Sequence, residues 1–128
     1  MKIVLITFAL NRISWNARIF IAVNIVEIAT ESAQNENAAL VKEIDIEVGQ
    51  LSGVVIDALD FCMEAAVKDT LMEGAKWNLI DIPGRGRCRS CSHEFEIRDL
   101  LTVCPECQAP SPEVYQGKEL RVKSILVE

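Results

Sequence analysis

Residues 88–107 read CRSCSHEFEIRDLLTVCPEC, which is two Cys-x-x-Cys pairs separated by twelve residues. Two intervening residues let each pair of thiolates bend around one ion, and two such pairs facing each other form the tetrahedral sulfur cage that zinc prefers. The spacing therefore predicts a zinc site whose ligands are Cys88, Cys91, Cys104 and Cys107. Four thiolates leave no position open for water, so we expect the zinc to be structural rather than catalytic.

Three other chemistries use the same arrangement of cysteines. Two disulfides would engage all four thiols, but the odd cysteine count and the absence of other features of a secreted protein disfavour them. Iron takes the same ligands in rubredoxin-like cages, and the sequence separates iron from zinc only weakly. A redox Cys-x-x-Cys pair normally lies at a helix start in a βαβ unit, which this segment lacks.

The segment that carries the cysteines, residues 84–117, has few large apolar side chains. A segment of about 30 residues cannot be stabilised by apolar burial alone, so we expect a bound metal ion to stabilise its fold. We therefore expect residues 84–117 to form a zinc-ribbon subdomain. It is inserted into an α+β domain that consists of residues 1–83 and 118–128.

Outside the insert, the spacing of apolar residues predicts two helices, at residues 19–32 and 57–72, with Gly74 as the cap of the second. Alternating patterns predict three strands, at residues 41–48, 77–82 and 119–127. The apolar run at residues 3–8 is compatible with a buried strand or with the first turns of a helix. The predicted fold class is α+β, with two helices packed on a small three-stranded mixed sheet.

The strand at residues 41–48 places an acidic row on one face, made of Glu43, Asp45 and Glu47. The last strand carries Arg121 and Lys123 on one face and an apolar set on the other, namely Leu120, Val122 and Leu126. If these two strands are neighbours, the basic pair meets the acidic row across the sheet.

No constellation of catalytic residues is present, so we predict that the chain is not an enzyme. Glu94 and Glu96 are interpreted as solvated strand residues, because no base or nucleophile accompanies them. His93 is interpreted as a loop residue whose ring packs or hydrogen-bonds locally, with a substitute metal ligand or a pH-sensitive neighbour of the cage as the alternative. Cys62 is expected to be a buried thiol on the apolar stripe of the second helix.

The formal net charge of −6 bears on partners and location. Nucleic-acid binding depends on neutralising phosphates, so an acidic chain disfavours a zinc-ribbon nucleic-acid binder, although four arginines lie near the cysteines, namely Arg85, Arg87, Arg89 and Arg98. The apolar start at residues 3–10 lacks a convincing signal-peptide cleavage site and is too short to span a bilayer. We therefore expect a cytoplasmic protein that partners neither nucleic acid nor membrane.

Several stretches outside and around the cysteines also occur together in one family. They are NIVEI at residues 24–28, GQLSGV at 49–54, LDF at 59–61, TLMEGA at 70–75 and ELRVK at 119–123. With these stretches in order, and the cysteine insert in its expected place, the chain from about residue 21 to its C terminus resembles the HypA/HybF hydrogenase and urease nickel-incorporation proteins. Two cysteine pairs alone are common to many zinc ribbons, whereas this combination is far more specific.

The resemblance implies a small metallochaperone that binds Ni(II) weakly and passes it toward a [NiFe]-hydrogenase or, in some organisms, urease. The partners it implies are a maturation GTPase and the hydrogenase large subunit, with the zinc knob as a structural element and a surface for partners. A homodimer is compatible with the sequence. In the family the nickel ligands come from an N-terminal Met-His-Glu, whose amine, imidazole and backbone amides suit square-planar nickel.

This chain departs from the family at that N-terminal motif. Aligning the first helix places Met-His-Glu opposite Asn16, Ala17 and Arg18, and no histidine precedes His93. We therefore assign no nickel ligand. Two explanations compete: the first twenty or so residues come from a frame error or rearrangement, or the chain is a divergent member that has lost the site. In the second case the chain is a zinc-stapled protein-interaction module.

Overall fold

The computed structural model describes residues 2–9, 21–99 and 101–128. Its elements, in chain order, are β1 (Lys2–Ala9), α1 (Ile21–Asn35), β2 (Val41–Gly49), α2 (Ile56–Ala66), β3 (Lys76–Ile82), β4 (Arg85–Arg87), β5 (Glu94–Glu96), β6 (Glu113–Gln116) and β7 (Leu120–Val127). Within these residues, no helix is long and apolar enough to cross a membrane.

Four strands form the main sheet, in the order β1-β7-β2-β3. β2 and β3 run parallel, which makes α2 the crossover between them, whereas β7 is antiparallel to both of its neighbours. The predicted α+β class, with two helices and a mixed sheet, is confirmed. The sheet has a fourth strand beyond the three predicted, because β1 pairs with β7 at its edge.

β1 shows which of the two interpretations of the apolar start applies. Val4 and Ile6 pack against the core, whereas Ile3 is 68% exposed and Leu5 is 75% exposed. Side chains that alternate between two environments have the period of a strand. The run is therefore a strand with one exposed apolar face, and not the first turns of a helix.

Both helices contribute to one hydrophobic core over the main sheet. α1 buries Ile25, Ala29 and Ala33 completely, and α2 buries Leu59 and Met63. The sheet supplies the facing apolar side chains, namely Val41, Ile44, Ile46, Val48, Leu120, Val122, Ile125 and Val127. Because each of these side chains is less than a tenth exposed, the core fixes which face of each strand turns inward.

α2 ends at Ala66, six residues before the predicted end of the second helix at residue 72. The Thr70 hydroxyl donates to the Val67 carbonyl at 2.6 Å and accepts from the Met72 amide at 3.1 Å, which holds the chain in a turn. Asp69 has a φ of +61°, which no helical residue adopts. Gly74, also at positive φ, lies in the turn that leads to β3, so the prediction that it caps the helix is wrong.

Cys62 is exposed, and the prediction of a buried thiol is wrong. The reason is helical geometry: successive residues are about 100° apart around the axis, so Cys62 cannot share the inward direction of Met63. Leu59 and Met63, four residues apart, take the buried stripe of α2. Because α2 has apolar residues on both faces, its sequence did not indicate which face is buried.

A second, smaller sheet has the order β5-β4-β6, with antiparallel pairing. It follows directly on the main sheet beside the turn after β2, where the Gln50 amide donates at 2.9 Å to the carbonyl of Ile82, the last residue of β3. The Leu51 amide donates to the Gly117 carbonyl at 2.7 Å, and Leu51 also packs against the apolar cluster of the small sheet. The chain enters the small sheet after Ile82 and leaves it after Gly117, and both points are therefore held beside the end of β2.

The predicted neighbourhood of the last strand and residues 41–48 is confirmed, since β7 pairs with β2. Arg121 lies opposite Glu47 and donates to both carboxylate oxygens, at 2.9 Å and 3.3 Å. This hydrogen bond raises the pKa of the Arg121 guanidinium. Ion pairing of the predicted kind therefore joins the two strands at this position.

The second basic residue of the pair does not reach the acidic row. Val122 faces Ile46 and Ser124 faces Asp45, so Lys123 is an extra residue without a counterpart in β2. Such a bulge shifts the alternation of the strand. Ile125 and Val127 are buried beyond the bulge and Leu126 is half-buried, so the expectation that Leu126 shares the face of Leu120 and Val122 is wrong.

Replacing Arg121 by glutamate is expected to lower the Tm of the zinc-saturated protein by about 4 °C, or about 1 kcal/mol, because the new carboxylate faces Glu47. Lys123→Glu is the matched control: it makes the same charge change at a residue that has no ion pair in the described part of the chain. Its expected shift is below about 2 °C. Thermal unfolding followed by circular dichroism compares the two, and equal shifts would contradict the assignment.

Candidate metal centre

The four cysteines predicted to bind zinc lie together at the end of the small sheet. The Cys88 and Cys107 sulfurs are 3.4 Å apart, and the Cys91 and Cys104 sulfurs are 3.6 Å apart. All four sulfurs lie within 4.8 Å of one another. Zinc bound by four sulfurs at about 2.3 Å sets edges of about 3.8 Å between them, so the group fits this ion.

The sulfur separations also bear on the disulfide alternative. A disulfide joins two sulfurs at about 2.05 Å, well below the separations of both pairs. All five cysteines are free thiols in the structure. The cluster is thus arranged as a cage around a point between the sulfurs, and not as two cross-links.

The two Cys-x-x-Cys pairs are built by the same backbone pattern. The Ser92 amide donates to the Cys88 carbonyl at 3.1 Å, and the Gln108 amide donates to the Cys104 carbonyl at 2.8 Å. Ser92 and Gln108, each next to the second cysteine of its pair, have φ values of +62° and +60°. Each chain segment therefore reverses tightly after its second thiol, which brings the two sulfurs of the pair together.

A second hydrogen bond closes each pair. The Cys88 amide donates to the His93 carbonyl at 2.9 Å, and the Cys104 amide donates to the Ala109 carbonyl at 3.1 Å. The first cysteine of each pair is buried, whereas Cys91 and Cys107 are exposed. The sequence spacing predicted the pairing of thiols but not this repeated backbone pattern, because Ser92 and Gln108 are not residues that signal a left-handed turn.

Backbone amides favour a negative charge on one sulfur of the cluster. The amides of Ser90 and Cys91 lie 3.4 Å and 3.5 Å from the Cys88 sulfur. Donation from Cys91 and then from Ser90 lowers the pKa of Cys88 to about 6. The two amides therefore favour the thiolate form of this sulfur, which is the form that binds metal.

The neighbouring sulfurs oppose a second negative charge. The His93 amide lowers the pKa of Cys91, but partial desolvation of its sulfur within the cluster and the contacts with Cys104 and Cys88 outweigh it and raise that pKa to about 12. For Cys107, donation from Ala109 is outweighed by the contact with Cys88, and its pKa is raised. Four thiolates at this spacing need a cation among them, which is the property of a metal site.

A small apolar cluster packs against the two buried cysteines of the cage. Cys88, Cys104, Phe95 and Ile97 are buried together, with Leu51 of the main domain against them. β4 passes over Ile97 at Gly86, where a Cβ atom would lie 2.1 Å from the Ile97 Cδ1 atom. The same Cβ atom would lie 2.8 Å from the Glu113 backbone oxygen, so glycine at this position lets β4 pack closely against both Ile97 and β6.

His93 and the two acidic residues of β5 follow their predicted roles. The His93 ring stacks on Phe95, with ring centroids 6.0 Å apart, and is not among the residues that could form the metal cluster. Glu94 accepts a hydrogen bond from Arg87 at 2.8 Å, which lowers the pKa of Glu94, and Glu96 lies 3.8 Å from Arg98. Asn16, Ala17 and Arg18, aligned with the nickel motif, lie outside the described residues.

A family model described as "Hydrogenase/urease nickel incorporation, metallochaperone, hypA" matches residues 19–127. The hydrogenase maturation factor HypA of Geobacter metallireducens is 46% identical over 105 residues, which are 82% of this chain and 93% of that protein. HypA of Parabacteroides distasonis is 40% identical over 107 residues, covering 84% and 93% of the two chains.

Solved structures share the fold. The solution structure of the Ni metallochaperone HypA from Helicobacter pylori superposes with a TM-score of 0.60 at 20% identity, covering 86% of this chain and 96% of that one. A second solution structure of a HypA protein gives a TM-score of 0.62, also at 20% identity, with 84% and 92% covered. The family model and the identities to curated relatives lead to one conclusion: the chain belongs to the HypA family of hydrogenase and urease nickel-incorporation metallochaperones.

Proposed function

We propose that the chain works in the assembly of a nickel enzyme, a [NiFe]-hydrogenase or a urease, as a non-catalytic maturation factor that takes Ni(II) as its cargo. The observation that carries the proposal is the match to the metallochaperone family over residues 19–127. The fold on which that match lies contains both helices, the central strands and the complete cysteine cluster. The chain therefore contains the α+β fold and the cysteine cluster of its family but lacks the N-terminal Met-His-Glu motif.

The proposed zinc ligands are Cys88, Cys91, Cys104 and Cys107. Their support is the mutual approach of four sulfurs, two of them buried, in a segment with only a small apolar cluster of its own. Bound zinc supplies the positive charge that holds four thiolates together. The protein contributes the fixed backbone reversals and the amides directed at Cys88.

The division of the chain into an α+β domain, residues 1–83 with 118–128, and a ribbon, residues 84–117, remains a prediction. It is supported by the two separate sheets and by their two separate apolar clusters. The proposed partners are a maturation GTPase and the hydrogenase large subunit, in the cytoplasm. The family membership supports these partners in kind, as components of hydrogenase maturation.

A second function, that of an interaction module without nickel, is favoured by two observations. The family match begins at residue 19, after the residues aligned with Met-His-Glu. In the described part of the chain, the four-cysteine cluster is the one group of His, Cys, Asp and Glu side chains close enough to hold a metal. Nickel carriage would then need ligands from the first twenty residues, where the sequence has no histidine.

A nucleic-acid-binding function has little support from the ribbon surface. Arg87 and Arg98 pair with Glu94 and Glu96 of β5. The Arg89 guanidinium donates to the Ser111 carbonyl at 2.9 Å, and Arg85 lies 3.4 Å from the Tyr115 hydroxyl. Each of these arginines has a partner within the ribbon, and the chain as a whole carries a net negative charge. They therefore do not form a free basic surface for phosphates.

Purified protein is expected to contain one zinc ion per chain by inductively coupled plasma mass spectrometry. Cys104→Ser removes a buried ligand, so it should lose the zinc and destabilise the ribbon. Cys62→Ser changes an exposed thiol outside the cluster and should retain a full equivalent. Iron in place of zinc, or zinc retained by Cys104→Ser, would contradict the assignment.

Nickel titration separates the two functions. We expect Ni(II) to bind this chain at least about tenfold more weakly than a variant in which Met-His-Glu precedes Phe20 as the N terminus, because only the variant offers an imidazole and amine together. Isothermal titration calorimetry on zinc-loaded protein measures both, with a Met-Ala-Glu variant as the control. Ni(II) affinity of the native chain equal to that of the Met-His-Glu variant, with both above that of the Met-Ala-Glu control, would sink the interaction-module alternative.

A further inference from the structure

α2 has two apolar stripes, of which only one is used in the core. The inward stripe contains Leu59 and Met63, both buried. The outer stripe, defined as Ala58, Phe61, Cys62 and Ala65, has the spacing i, i+3, i+4 and i+7, and all four residues are exposed. A helix that is apolar on two sides is typical of a helix packed between two partners.

The centre of the outer stripe is a large aromatic side chain. Phe61 is 74% exposed, and Val55, just before the helix, is 65% exposed. Aromatic side chains surrounded by apolar neighbours supply much of the binding free energy at protein interfaces. An exposed phenylalanine in such a stripe marks the surface as an interaction site.

One border of the outer stripe is a cleft of about 210 Å³. Ala58 and Cys62 of the stripe line it, and Ile21 and Ala22 of α1 form the opposite wall. The cleft gives a partner side chain somewhere to insert beside the stripe. The apolar surface thus continues from α2 toward the start of α1.

The other border is acidic. Asp57, Asp60 and Glu64 lie at i, i+3 and i+7 on the side of α2 away from the cleft, and all three are exposed. Asp60 accepts a hydrogen bond from the Trp77 indole at 2.7 Å, and among the described residues no cationic side chain pairs with any of the three. We call these residues the acidic flank.

We infer that the outer stripe of α2 and its acidic flank form a docking surface for a basic amphipathic helix of a partner protein. Apolar side chains of the partner pack on Phe61 and enter the cleft, while its lysines or arginines pair with the acidic flank. α2 spans eleven residues, or about 16 Å, enough for three turns of the partner. The inference is independent of whether the chain carries nickel.

A second copy of the chain is a poorer occupant than a basic helix. Two outer stripes packed antiparallel about a two-fold axis bring the two acidic flanks together. Packed parallel, each acidic flank lies over the apolar cleft of the other copy. Both arrangements place unpaired carboxylates against like charge or apolar surface, and the net charge of −6 adds repulsion between copies.

Cys62 provides a probe inside the stripe. In the zinc-loaded chain the other four cysteines are held by the metal, so iodoacetamide is expected to alkylate Cys62 first, as peptide mapping by mass spectrometry would show. The proposed ligand is represented by a synthetic helix of about five turns, with leucine on one face and lysine on the other. At about ten times its Kd, this peptide should slow Cys62 alkylation about tenfold.

Three controls make the experiment specific. The same peptide with glutamate in place of lysine should give no protection. Phe61→Ser should weaken the lysine peptide about tenfold, whereas Leu101→Ser, at an 89% exposed leucine of the ribbon, should leave protection unchanged. Asp57→Asn with Glu64→Gln should weaken it more than Glu27→Gln with Glu31→Gln, the same charge change on α1.

The other outcomes overturn the inference. Equal protection by both peptides, or undiminished protection in Phe61→Ser, would show binding that does not use this surface. If Cys62 of the free chain is unreactive in a way that depends on protein concentration, a second copy covers the stripe. If it is unreactive at every concentration, the chain's own residues cover it.

Discussion

Three hydrogen bonds at the end of β2 fix the two points where the chain leaves and re-enters the main sheet, and the placement of the ribbon depends on them. Gly49, Gln50 and Leu51 donate to the carbonyls of Glu119, Ile82 and Gly117, at 2.6 Å, 2.9 Å and 2.7 Å. The chain leaves the main sheet at Ile82 and returns to it at Glu119, so one turn fixes both ends of the insertion. Because these ends are fixed, β7 starts in register with β2 although a whole ribbon lies between β3 and β7.

This attachment requires backbone to approach backbone without side chains. A Cβ atom on Gly49 would lie 2.0 Å from the Gly117 carbonyl oxygen, and one on Gly117 would lie 2.5 Å from the Gly84 Cα. Gly117 also has a φ of +109°, which other residues rarely adopt. Gly49, Gly84 and Gly117 are thus explained by the close approach of backbone where the ribbon joins the main sheet, more than by flexibility.

Much of the fold and of the metal centre could be predicted from local patterns. The cysteine spacing predicted the thiol cluster, and the alternation of Ile44, Ile46 and Val48 predicted the central strand. The errors arose at places where local patterns do not decide. The bulge at Lys123 changes which side of β7 faces inward, and Asp69 at positive φ, together with the Thr70 hydroxyl, places residues 67–72, which looked helical, in turns. Cys62 was misplaced because an apolar helix does not reveal from its composition which of two apolar faces is covered.

The order of strands in the main sheet has a consequence for how the protein folds. β7 follows all the other described strands in sequence, yet it occupies an interior position between β1 and β2. Until β7 takes this position, β1 and β2 have no common neighbour, and the buried side of the main sheet is incomplete. The strands of the ribbon are closer in sequence, so the ribbon can close around metal first, whereas the larger core forms only when β7 makes its long-range pairings.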